Sequence, residues 1–447
     1  MSEIDADVVV VGAGISGLCA ARALERAGRS ALVLEATERV GGKMRTERVG
    51  PDHVDVGAHW IGPGQDRIAA LGRELGVPTR PQPLDGRTVL LVGDRRYEYR
   101  GPIPLLSPPV LADIGLGALR LWRMHRGVSF DGSREDPHRA ELDGMTVAQL
   151  RDRVYRTHAA RKLFDMTLGL LLGAPAGELG ALYTLAFFES GGGLRRMTAF
   201  NGGAQQDFFL GGAQQLCERL AARLALPVEL CAPVLAVEQD GEGVRVRSER
   251  GERRAGHCVL ALPPPVVPDL TPALPAAHQA FLKRTHLGAY TKAVAVYERP
   301  WWRDRGLNGI ALATDGPVQM VVDGVAESER GILVGFITGA AAREFSGLDP
   351  AGRRHAAIAA FARLFGPAAA EPIDYVDLSW ADQPWFLGAP VAHPEPGVLA
   401  QHGDLPLAPV GRIHWAAADL ARVNNAYMDG AIESGERAAA EIIALTA

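Results

Sequence analysis

Three glycines near the start of the chain have the spacing of a phosphate-binding turn. Gly12, Gly14 and Gly17 follow the apolar run 8–11 and open a segment with helical periodicity. The first glycine permits a tight turn, the second lets the backbone approach a pyrophosphate, and the third allows a helix to pack closely on a strand. The helix N-terminus attracts phosphate through its free N–H groups. Glu35 ends the next apolar run, where its carboxylate can accept ribose hydroxyls, so this segment predicts dinucleotide binding.

A second glycine turn narrows the choice of dinucleotide. Gly41 and Gly42 lie between Arg39 and Lys43, so a second backbone loop and two cations come close to the expected pyrophosphate. A diffusible nicotinamide cofactor does not need this second loop. The pattern is similar to the extended fingerprint of FAD-containing proteins, and it therefore favours FAD.

The composition excludes several other classes of function. The 447 residues carry 47 Lys and Arg against 52 Asp and Glu, with 47% hydrophobic and 22% charged residues. These proportions are those of an ordinary globular protein of about two or three structural units. We expect no nucleic-acid partner, because no basic stripe is present, and no membrane anchor, because no apolar run is long enough. No spacing of histidines or cysteines predicts a metal site.

The cysteines and the N-terminus bear on the cellular compartment. The four cysteines fit neither a metal-binding pair nor a disulfide framework, so we expect them to be buried in a reducing compartment. Residues 1–5 lack the basic and apolar regions of a signal peptide. A cytoplasmic location is the expectation.

The elements that must position these motifs alternate along the chain. Helical periodicity at 110–126, 146–155, 159–172 and 214–224 is separated by short predicted strands, of which 228–230, 234–238, 244–248 and 258–262 return to the nucleotide-binding layer. We predict an α/β protein with a discontinuous, Rossmann-like FAD-binding domain (1–80, 208–285 and 383–447). An α+β substrate-binding domain (81–207 and 286–382) interleaves with it.

Taken together, the motifs resemble those of the flavin-containing amine oxidases, and most closely those of the monoamine oxidase branch and its soluble bacterial relatives. The resemblance covers essentially the whole chain and implies FAD extended through the discontinuous domain, with the flavin ring at the domain interface. The motifs that carry it are 11–17, 34–36, 39–42, 55–63, 201–203 and 427–437.

The resemblance places three residues at the reacting groups. Lys292 matches a lysine that holds a water against flavin N5, although a mid-strand lysine read alone is as often solvent-facing. Trp60 matches an aromatic residue beside the flavin, and Tyr427 matches one wall of an aromatic cage for the amine. Trp380 is expected near the isoalloxazine, and the Val234 backbone near the adenine. The full set of predicted cofactor-binding residues is Gly12, Gly14, Ile15, Ser16, Gly17, Glu35, Ala36, Arg39, Gly42, Lys43, His59, Trp60, Val234, Trp380, Asp419 and Met428.

Several positions depart from the family pattern. Ala389 stands where monoamine oxidases carry the cysteine that bonds the flavin, so we expect noncovalent FAD. Pro390 replaces the second wall of the cage, and Ala416–Asp419 replaces the usual Ala-Gly-Thr-Glu. The segment 183–189 is expected to form half of the cavity wall. Its Glu189 is either a site for a second substrate cation or part of a solvated helix face.

The leading hypothesis is an FAD-dependent oxidoreductase that oxidises the C–N bond of an amine to an imine. Hydride transfer to flavin N5 would be followed by reoxidation with dioxygen to hydrogen peroxide. One alternative is an FAD-dependent desaturase or dehydrogenase acting on C–C bonds of a non-amine metabolite, and a third is a non-catalytic FAD-binding protein. The expected partners are a small amine and dioxygen, and the resemblance is compatible with a homodimer.

Overall fold

The computed structural model describes residues 5–101, 104, 106–130, 138–271, 274–399 and 408–446. Two large sheets and a group of helices make up most of this part of the chain. Its strands are β1 (Ala6–Val11), β2 (Ala31–Leu34), β3 (Thr46–Val49), β4 (Asp52–Asp55), β5 (Trp60–Ile61), β6 (Thr79–Pro81), β7 (Arg87–Val92), β8 (Arg95–Tyr99), β9 (Asp207–Phe209), β10 (Val234–Gln239), β11 (Val244–Ser248), β12 (Gly251–Leu260), β13 (Thr285–Leu287), β14 (Tyr290–Tyr297), β15 (Leu307–Ala313), β16 (Met320–Asp323), β17 (Gly331–Thr338), β18 (Asp374–Ser379), β19 (Ala392–Pro394) and β20 (Ile413–Trp415).

The helices lie mainly in the first two thirds of the chain and at its end. They are α1 (Ile15–Arg26), α2 (Asp66–Glu74), α3 (Pro108–His125), α4 (Arg139–Asp143), α5 (Val147–Val154), α6 (His158–Leu172), α7 (Ala181–Ser190), α8 (Leu194–Thr198), α9 (Gln214–Ala221), α10 (Ala276–Lys283), α11 (Gly339–Ser346), α12 (Pro350–Phe365) and α13 (Met428–Thr446). Among the described helices, none has both the length and the apolar character needed to cross a membrane.

The first sheet is built around β1, whose valines are almost completely buried. Strands β2 and β12 flank β1 in parallel, β20 extends the parallel part beyond β12, and β11 and β10 add an antiparallel edge. The run 8–11 is apolar throughout because both faces of this strand are covered. Helices α1 and α13 pack against each other beside the sheet. The α/β prediction is confirmed.

The second sheet has seven strands in the order β18-β14-β17-β16-β15-β7-β8. Strand β14 lies between β18 and β17 and pairs antiparallel with both. All eight residues of β17 are buried, as expected for a strand in the middle of a covered sheet. Because β14 is hydrogen-bonded to a strand on each side, its backbone fixes the points from which its side chains project.

Three details of the sequence predictions differ from the structure: one strand, the end of one helix and the burial of one cysteine. The predicted strand 228–230 is reduced to a single bridge between Glu229 and Leu34, because Pro227 precedes it and Cys231 takes φ 50°, which turns the chain away. Helix α9 ends at Ala221, short of the predicted Leu224. Cys231 is exposed, against the expectation for all four cysteines, because it lies in that turn; the other three are buried.

Candidate active site

Two cavities meet between the sheets. The first is lined by the two glycine turns and by Met428, and we call it the cofactor cavity. The second is lined by Trp60, Lys292 and Phe336, and we call it the substrate cavity. The two are adjacent and share the lining residues Lys43, Ala58, Pro390, Ala426, Tyr427 and Met428.

The glycine turns leave a cradle that fits a pyrophosphate. A Cβ added at Gly14 would meet only the Gly42 Cα, at 3.9 Å, so both turns present bare backbone to the cavity. Ser16 is 6% exposed, lines the cavity, and its buried Oγ has no hydrogen-bond partner among the described residues. A buried hydroxyl without a partner is costly, and a phosphate oxygen would satisfy it. The donors present therefore fit the phosphates of FAD.

Gly17 allows close packing of a helix on a strand, whereas Gly14 lines the cofactor cavity. A Cβ at Gly17 would lie 2.0 Å from the Gly12 carbonyl oxygen, so only glycine lets α1 approach β1 this closely. Gly17 does not line the cofactor cavity. The predicted packing role agrees with this geometry.

Glu35 is held in place by its neighbours and faces the cofactor cavity. Its Oε2 accepts a hydrogen bond from the Ala13 N–H at 2.8 Å, and its Oε1 accepts from Thr37 N–H and Oγ1 at 2.9 and 2.8 Å. The carboxylate is 7% exposed. An ionised carboxylate offers about four acceptor positions, so Oε2 retains capacity for a ribose hydroxyl.

Two charged residues lie where the cofactor and substrate cavities join. The Lys43 ammonium donates to the Pro390 carbonyl at 3.1 Å and lies 3.9 Å from Asp419 Oδ2. Asp419 Oδ1 accepts from the Ala392 N–H at 2.7 Å, and its side chain is buried. Asp419 thus anchors the chain at Ala392 and pairs with Lys43, which borders both cavities.

Lys292 is the most deeply buried lysine in the described cavities. Its Nζ donates to the carbonyl oxygens of Asp55 and Gly57 at 2.8 and 2.7 Å and lies 5.0 Å from the centre of the Phe336 ring. The residue is 4% exposed, and burial lowers its pKa to about 8, although the nearby Asp55 charge opposes this shift. A buried ammonium in a cavity wall is expensive, which favours a functional role.

An aromatic wall stands beside Lys292. The Trp60 ring stacks on Phe336 with centroids 5.5 Å apart, and its Nε1 donates to Gln82 Oε1 at 3.0 Å. His59 stacks on Phe208 and shares a 2.8 Å hydrogen bond between its Nδ1 and Asp55 Oδ2. Burial lowers the pKa of His59 in spite of the Asp55 carboxylate. The imidazole is therefore kept neutral and fixed in orientation.

Tyr427 borders both cavities, and Pro390, which also borders both, has no aromatic side chain. Burial raises the pKa of Tyr427, so its phenol is neutral. Tyr290 also lines the substrate cavity, and burial together with nearby Tyr427 raises its pKa as well. Two neutral phenols thus border the space where an amine would meet the flavin.

Most of the predicted cofactor residues line the cofactor cavity. Those that do are Gly12, Gly14, Ile15, Ser16, Glu35, Ala36, Gly42, Lys43, Val234, Asp419 and Met428. His59, Trp60 and Trp380 line the substrate cavity instead. Arg39 lines neither; its guanidinium donates to the Gly42 carbonyl at 2.8 Å and so supports the second glycine turn from behind. The Trp380 indole donates to the Val56 carbonyl at 3.0 Å.

Sequence reasoning missed several residues of both cavities. Trp385, Phe386 and the 262–263 segment line the cofactor cavity, and Gln205, Met320 and Phe336 line the substrate cavity. Phe336 could have been found, because β17 pairs with β14 and places Phe336 directly opposite Lys292. The others lie in loops or carry no chemical signature.

Only part of the expected helical wall faces the substrate cavity. Phe187 lines it, together with Leu170 and Leu171. Tyr183 instead donates to the Ala392 carbonyl at 2.9 Å, and Phe188 is fully buried in the core. Glu189 accepts from buried His125 at 2.7 Å, so it is neither a lining residue nor part of a freely solvated face.

Comparison with known proteins identifies the family. The profile described as flavin containing amine oxidoreductase matches residues 15–443. The chain belongs to this family. It is 39% identical to AofH of Mycobacterium tuberculosis, which is named as a flavin-containing monoamine oxidase, over 98% of this chain and 97% of the relative. It is 32% identical to human flavin-containing amine oxidase B over 98% and 86%.

Solved structures agree with this assignment. Wild-type putrescine oxidase bound to putrescine superposes with a TM-score of 0.94 at 30% identity, covering 98% of this chain and 99% of that one. Cyclohexylamine oxidase from Brevibacterium oxydans gives the same TM-score and identity, covering 99% of both chains. The predicted flavin-dependent amine oxidation is confirmed at the level of the family, and the desaturase alternative is not favoured. The protein is an oxidoreductase that acts on amines.

Proposed function

We propose that this protein oxidises a small amine to the imine with noncovalently bound FAD and dioxygen. The observation that carries the proposal is the junction of the two cavities, where Tyr427 and Met428 border both and the buried Lys292 borders the substrate side. When bound, FAD accepts a hydride equivalent from the carbon next to nitrogen and returns two electrons to dioxygen, giving hydrogen peroxide.

The residues of this chain would bind, orient and exclude water. Gly14 and Ser16 would meet the pyrophosphate, and Glu35 the ribose. Tyr427 and Trp60 would confine the amine in an apolar setting that favours its neutral form, which is the form that reacts. The Lys292 ammonium would lie close to the reacting atoms, where its positive charge would stabilise the negative charge on reduced dioxygen.

Noncovalent binding of FAD is supported by the segment that borders the flavin end. Ala389 offers no nucleophile there, and it is followed by Pro390. Acid precipitation of the purified protein is expected to release all of its flavin into the supernatant. Flavin that stays with the pellet would contradict this part of the proposal.

We further propose that the substrate is a monoamine. The ionisable residues lining the substrate cavity are Lys43, His59, Tyr290, Lys292 and Tyr427, so its described lining offers no carboxylate to pair with a second ammonium. Much of the remaining lining is apolar, including Leu170, Leu171, Phe187 and Met320. A second ammonium on the substrate would be repelled by the lysines and would lose its hydration against these side chains.

The experiment that tests the function is anaerobic reduction of the bound flavin, followed by its absorbance. Cyclohexylamine, butylamine, putrescine and 4-aminobutanoate form the panel, because the last three differ mainly in the group at one end. We expect reduction by the two monoamines and much slower reduction by putrescine, whose second ammonium the lysines repel. Reduction by 4-aminobutanoate is expected to be slower than by butylamine only because its carboxylate loses hydration against the apolar lining. A flavin that none of these amines reduces would support a non-catalytic role or a non-amine substrate.

The domain division also stays a proposal, which the sheets support. All strands of the six-stranded sheet lie within 1–80, 208–285 and 383–447, and all strands of the seven-stranded sheet lie within 81–207 and 286–382. A homodimer and a cytoplasmic location remain predictions of the sequence.

A further inference from the structure

A buried glutamine that lines neither cavity is bonded to one wall of the substrate cavity. Gln82 lies directly after β6 and is 4% exposed. Its Oε1 accepts a hydrogen bond from Trp60 Nε1 at 3.0 Å, and its Nε2 donates to the Asp323 carbonyl at 2.9 Å. Its main-chain N–H donates to the Gln206 carbonyl at 2.8 Å. Gln82 thus ties the Trp60 side chain to two other segments of the backbone.

The two partners of the Gln82 side chain allow only one orientation of its amide. An indole N–H can only donate a hydrogen bond, and a main-chain carbonyl can only accept one. The amide oxygen must therefore face Trp60, and the amide nitrogen must face Asp323. An ionised carboxylate would lack the donor, and an apolar side chain of the same length would lack both groups. The amide satisfies both partners at once.

The carbonyl that receives the Gln82 amide belongs to a firmly held part of the seven-stranded sheet. Asp323 is the last residue of β16 and is 1% exposed. Its Oδ2 accepts from Trp302 Nε1 at 3.0 Å and from Arg303 Nη2 at 2.7 Å. The same strand begins at Met320, which lines the substrate cavity. Gln82 therefore fastens one wall of this cavity to the strand that supplies another part of its lining.

Aromatic contacts set the plane of the Trp60 ring, and the Gln82 amide sets its position within that plane. The indole stacks on Phe336 at an interplanar angle of 13°, and Phe200 and His59 contact it edge-on with centroids 5.9 and 5.1 Å away. Stacked rings are stable over a range of offsets, whereas a hydrogen bond is directional. The bond to Gln82 also occupies the only polar atom of the indole, so Trp60 presents an apolar surface to the substrate cavity.

We propose that Gln82 is a positioning residue for amine oxidation, because it fixes the Trp60 indole as an apolar wall that orients the amine. The inference rests on the proposed function, in which Trp60 confines the amine. Loss of the amide would leave the N–H of the half-buried indole without its acceptor, at a cost in free energy that a shift of the ring would relieve. A shift of about 1 Å in a positioning group can cost about 100-fold in rate.

The first test is a double-mutant cycle of Gln82→Met and Trp60→Phe, measured by anaerobic reduction of the bound flavin with cyclohexylamine. Methionine keeps the length of the side chain without its polar groups, and phenylalanine keeps an aromatic wall without the N–H. Gln82→Met should lower the reduction rate constant divided by the amine Kd by about 10-fold in the wild-type background. In the Trp60→Phe background the same change should cost less than about 2-fold. Equal losses in the two backgrounds would overturn the proposal.

Two further measurements distinguish positioning of the amine from a general loss of structure. Reoxidation of dithionite-reduced flavin by dioxygen should change by less than about 2-fold in Gln82→Met, because no amine takes part in this step. Gln65→Met is the matched control, since Gln65 is 1% exposed and lines neither cavity. Reduction by cyclohexylamine should stay within about 2-fold of wild type in this control. Reoxidation that slows as much as reduction, or an equal loss in Gln65→Met, would contradict the positioning role.

The outcomes separate this inference from the proposed function. If cyclohexylamine reduces the wild-type flavin and the losses in the cycle are additive, the positioning role fails and amine oxidation stands. If no amine reduces the wild-type flavin, the proposed function fails and this inference fails with it. Should Gln82→Met not fold, Gln82→Asn takes its place in the cycle with the same expected pattern, because the shorter amide cannot reach both Trp60 and Asp323.

Discussion

Lys292 is a buried cation whose direct partners are two main-chain carbonyls rather than a carboxylate. Burial lowers its pKa to about 8, below the ordinary lysine value near 10.4. The ammonium is therefore present below about pH 8 and is lost as the pH rises through that value. The rate of a step that needs this positive charge should therefore fall as the pH rises through about 8.

The first prediction concerns Lys292→Met. We expect reoxidation of the reduced flavin to slow by roughly 10-fold or more, because the charge that stabilises reduced dioxygen is removed. In the wild type the reoxidation rate should fall as the pH rises through about 8, and the variant should lack this dependence. Stopped-flow reoxidation between about pH 6 and 10 measures both effects. Lys43→Met is the control, since it should weaken FAD binding and retain the titration.

A second prediction separates two glycines of the same motif. Gly14→Ala should leave the unfolding temperature of the FAD-free protein nearly unchanged, because the new Cβ meets only the Gly42 Cα at 3.9 Å, but it should weaken FAD binding. Gly17→Ala should destabilise the fold by at least about 1–3 kcal/mol, because its Cβ would lie 2.0 Å from the Gly12 carbonyl oxygen.

The measurements for the glycine pair are thermal unfolding without FAD and a flavin titration. Equal loss of stability in the two variants would show that the motif acts only in packing. Equal loss of FAD affinity in folded proteins would show that Gly17 also contacts the cofactor.

At the scale of elements, a carboxylate from α13 completes the N-terminus of α2. Asp429 Oδ1 accepts from the N–H groups of Arg67 and Ile68 at 2.8 and 3.1 Å, and Oδ2 accepts from Asn424 Nδ2 at 2.9 Å. The residue is 2% exposed. It satisfies helix donors that would otherwise be unpaired and holds α2 against α13.

The third prediction follows from this contact. Asp429→Ala should lower the free energy of unfolding by about 1–2 kcal/mol, as for the loss of a helix cap. Asp66→Ala is the matched control, because Asp66 lies in the same helix turn but is exposed, and it should cost less than about 0.5 kcal/mol. Thermal or denaturant unfolding measures both, and equal effects would contradict the capping role.

The elements with a strong local signal could be predicted from the sequence. The glycine turn around Gly14 follows the predicted strand 8–11, and the strands predicted at 234–238 and 244–248 are present as β10 and β11. The strand predicted at 258–262 is the end of a longer strand, β12, which begins at Gly251. The route of the chain between them could not be predicted, because the side chains that meet at the site come from distant segments. Phe336 shows the difference: its type and position carry no chemical signal until β17 pairs with β14.

The same limit applies to the cavity walls. The helix that carries Tyr183 and Glu189 is largely apolar, but the direction of each side chain depends on packing against other helices. Phe187 faces the substrate cavity, whereas Glu189 turns to His125. Arg39 is a similar case. Its motif predicted that it lies near the second glycine turn, but not that its guanidinium donates a hydrogen bond to the Gly42 carbonyl.

At the scale of the whole molecule, the two sheets are joined through the site. Lys292 of the seven-stranded sheet binds the carbonyls of Asp55 and Gly57, which lie beyond the first glycine turns. The cofactor cavity also collects residues from the start, middle and end of the chain, from Gly12 to Met428. A ligand in this cavity therefore contacts segments that are otherwise far apart in the sequence.

The last prediction is that FAD contributes to the stability of the whole fold. A ligand that binds only the folded state adds about 2.7 kcal/mol when its free concentration is 100 times its Kd. We therefore expect the unfolding temperature to rise continuously as FAD is titrated into the flavin-free protein. Gly14→Ala should need more FAD for the same rise, because its cradle is narrowed. A wild-type unfolding temperature that does not depend on FAD concentration would mean that the folded protein does not bind FAD in preference to the unfolded chain.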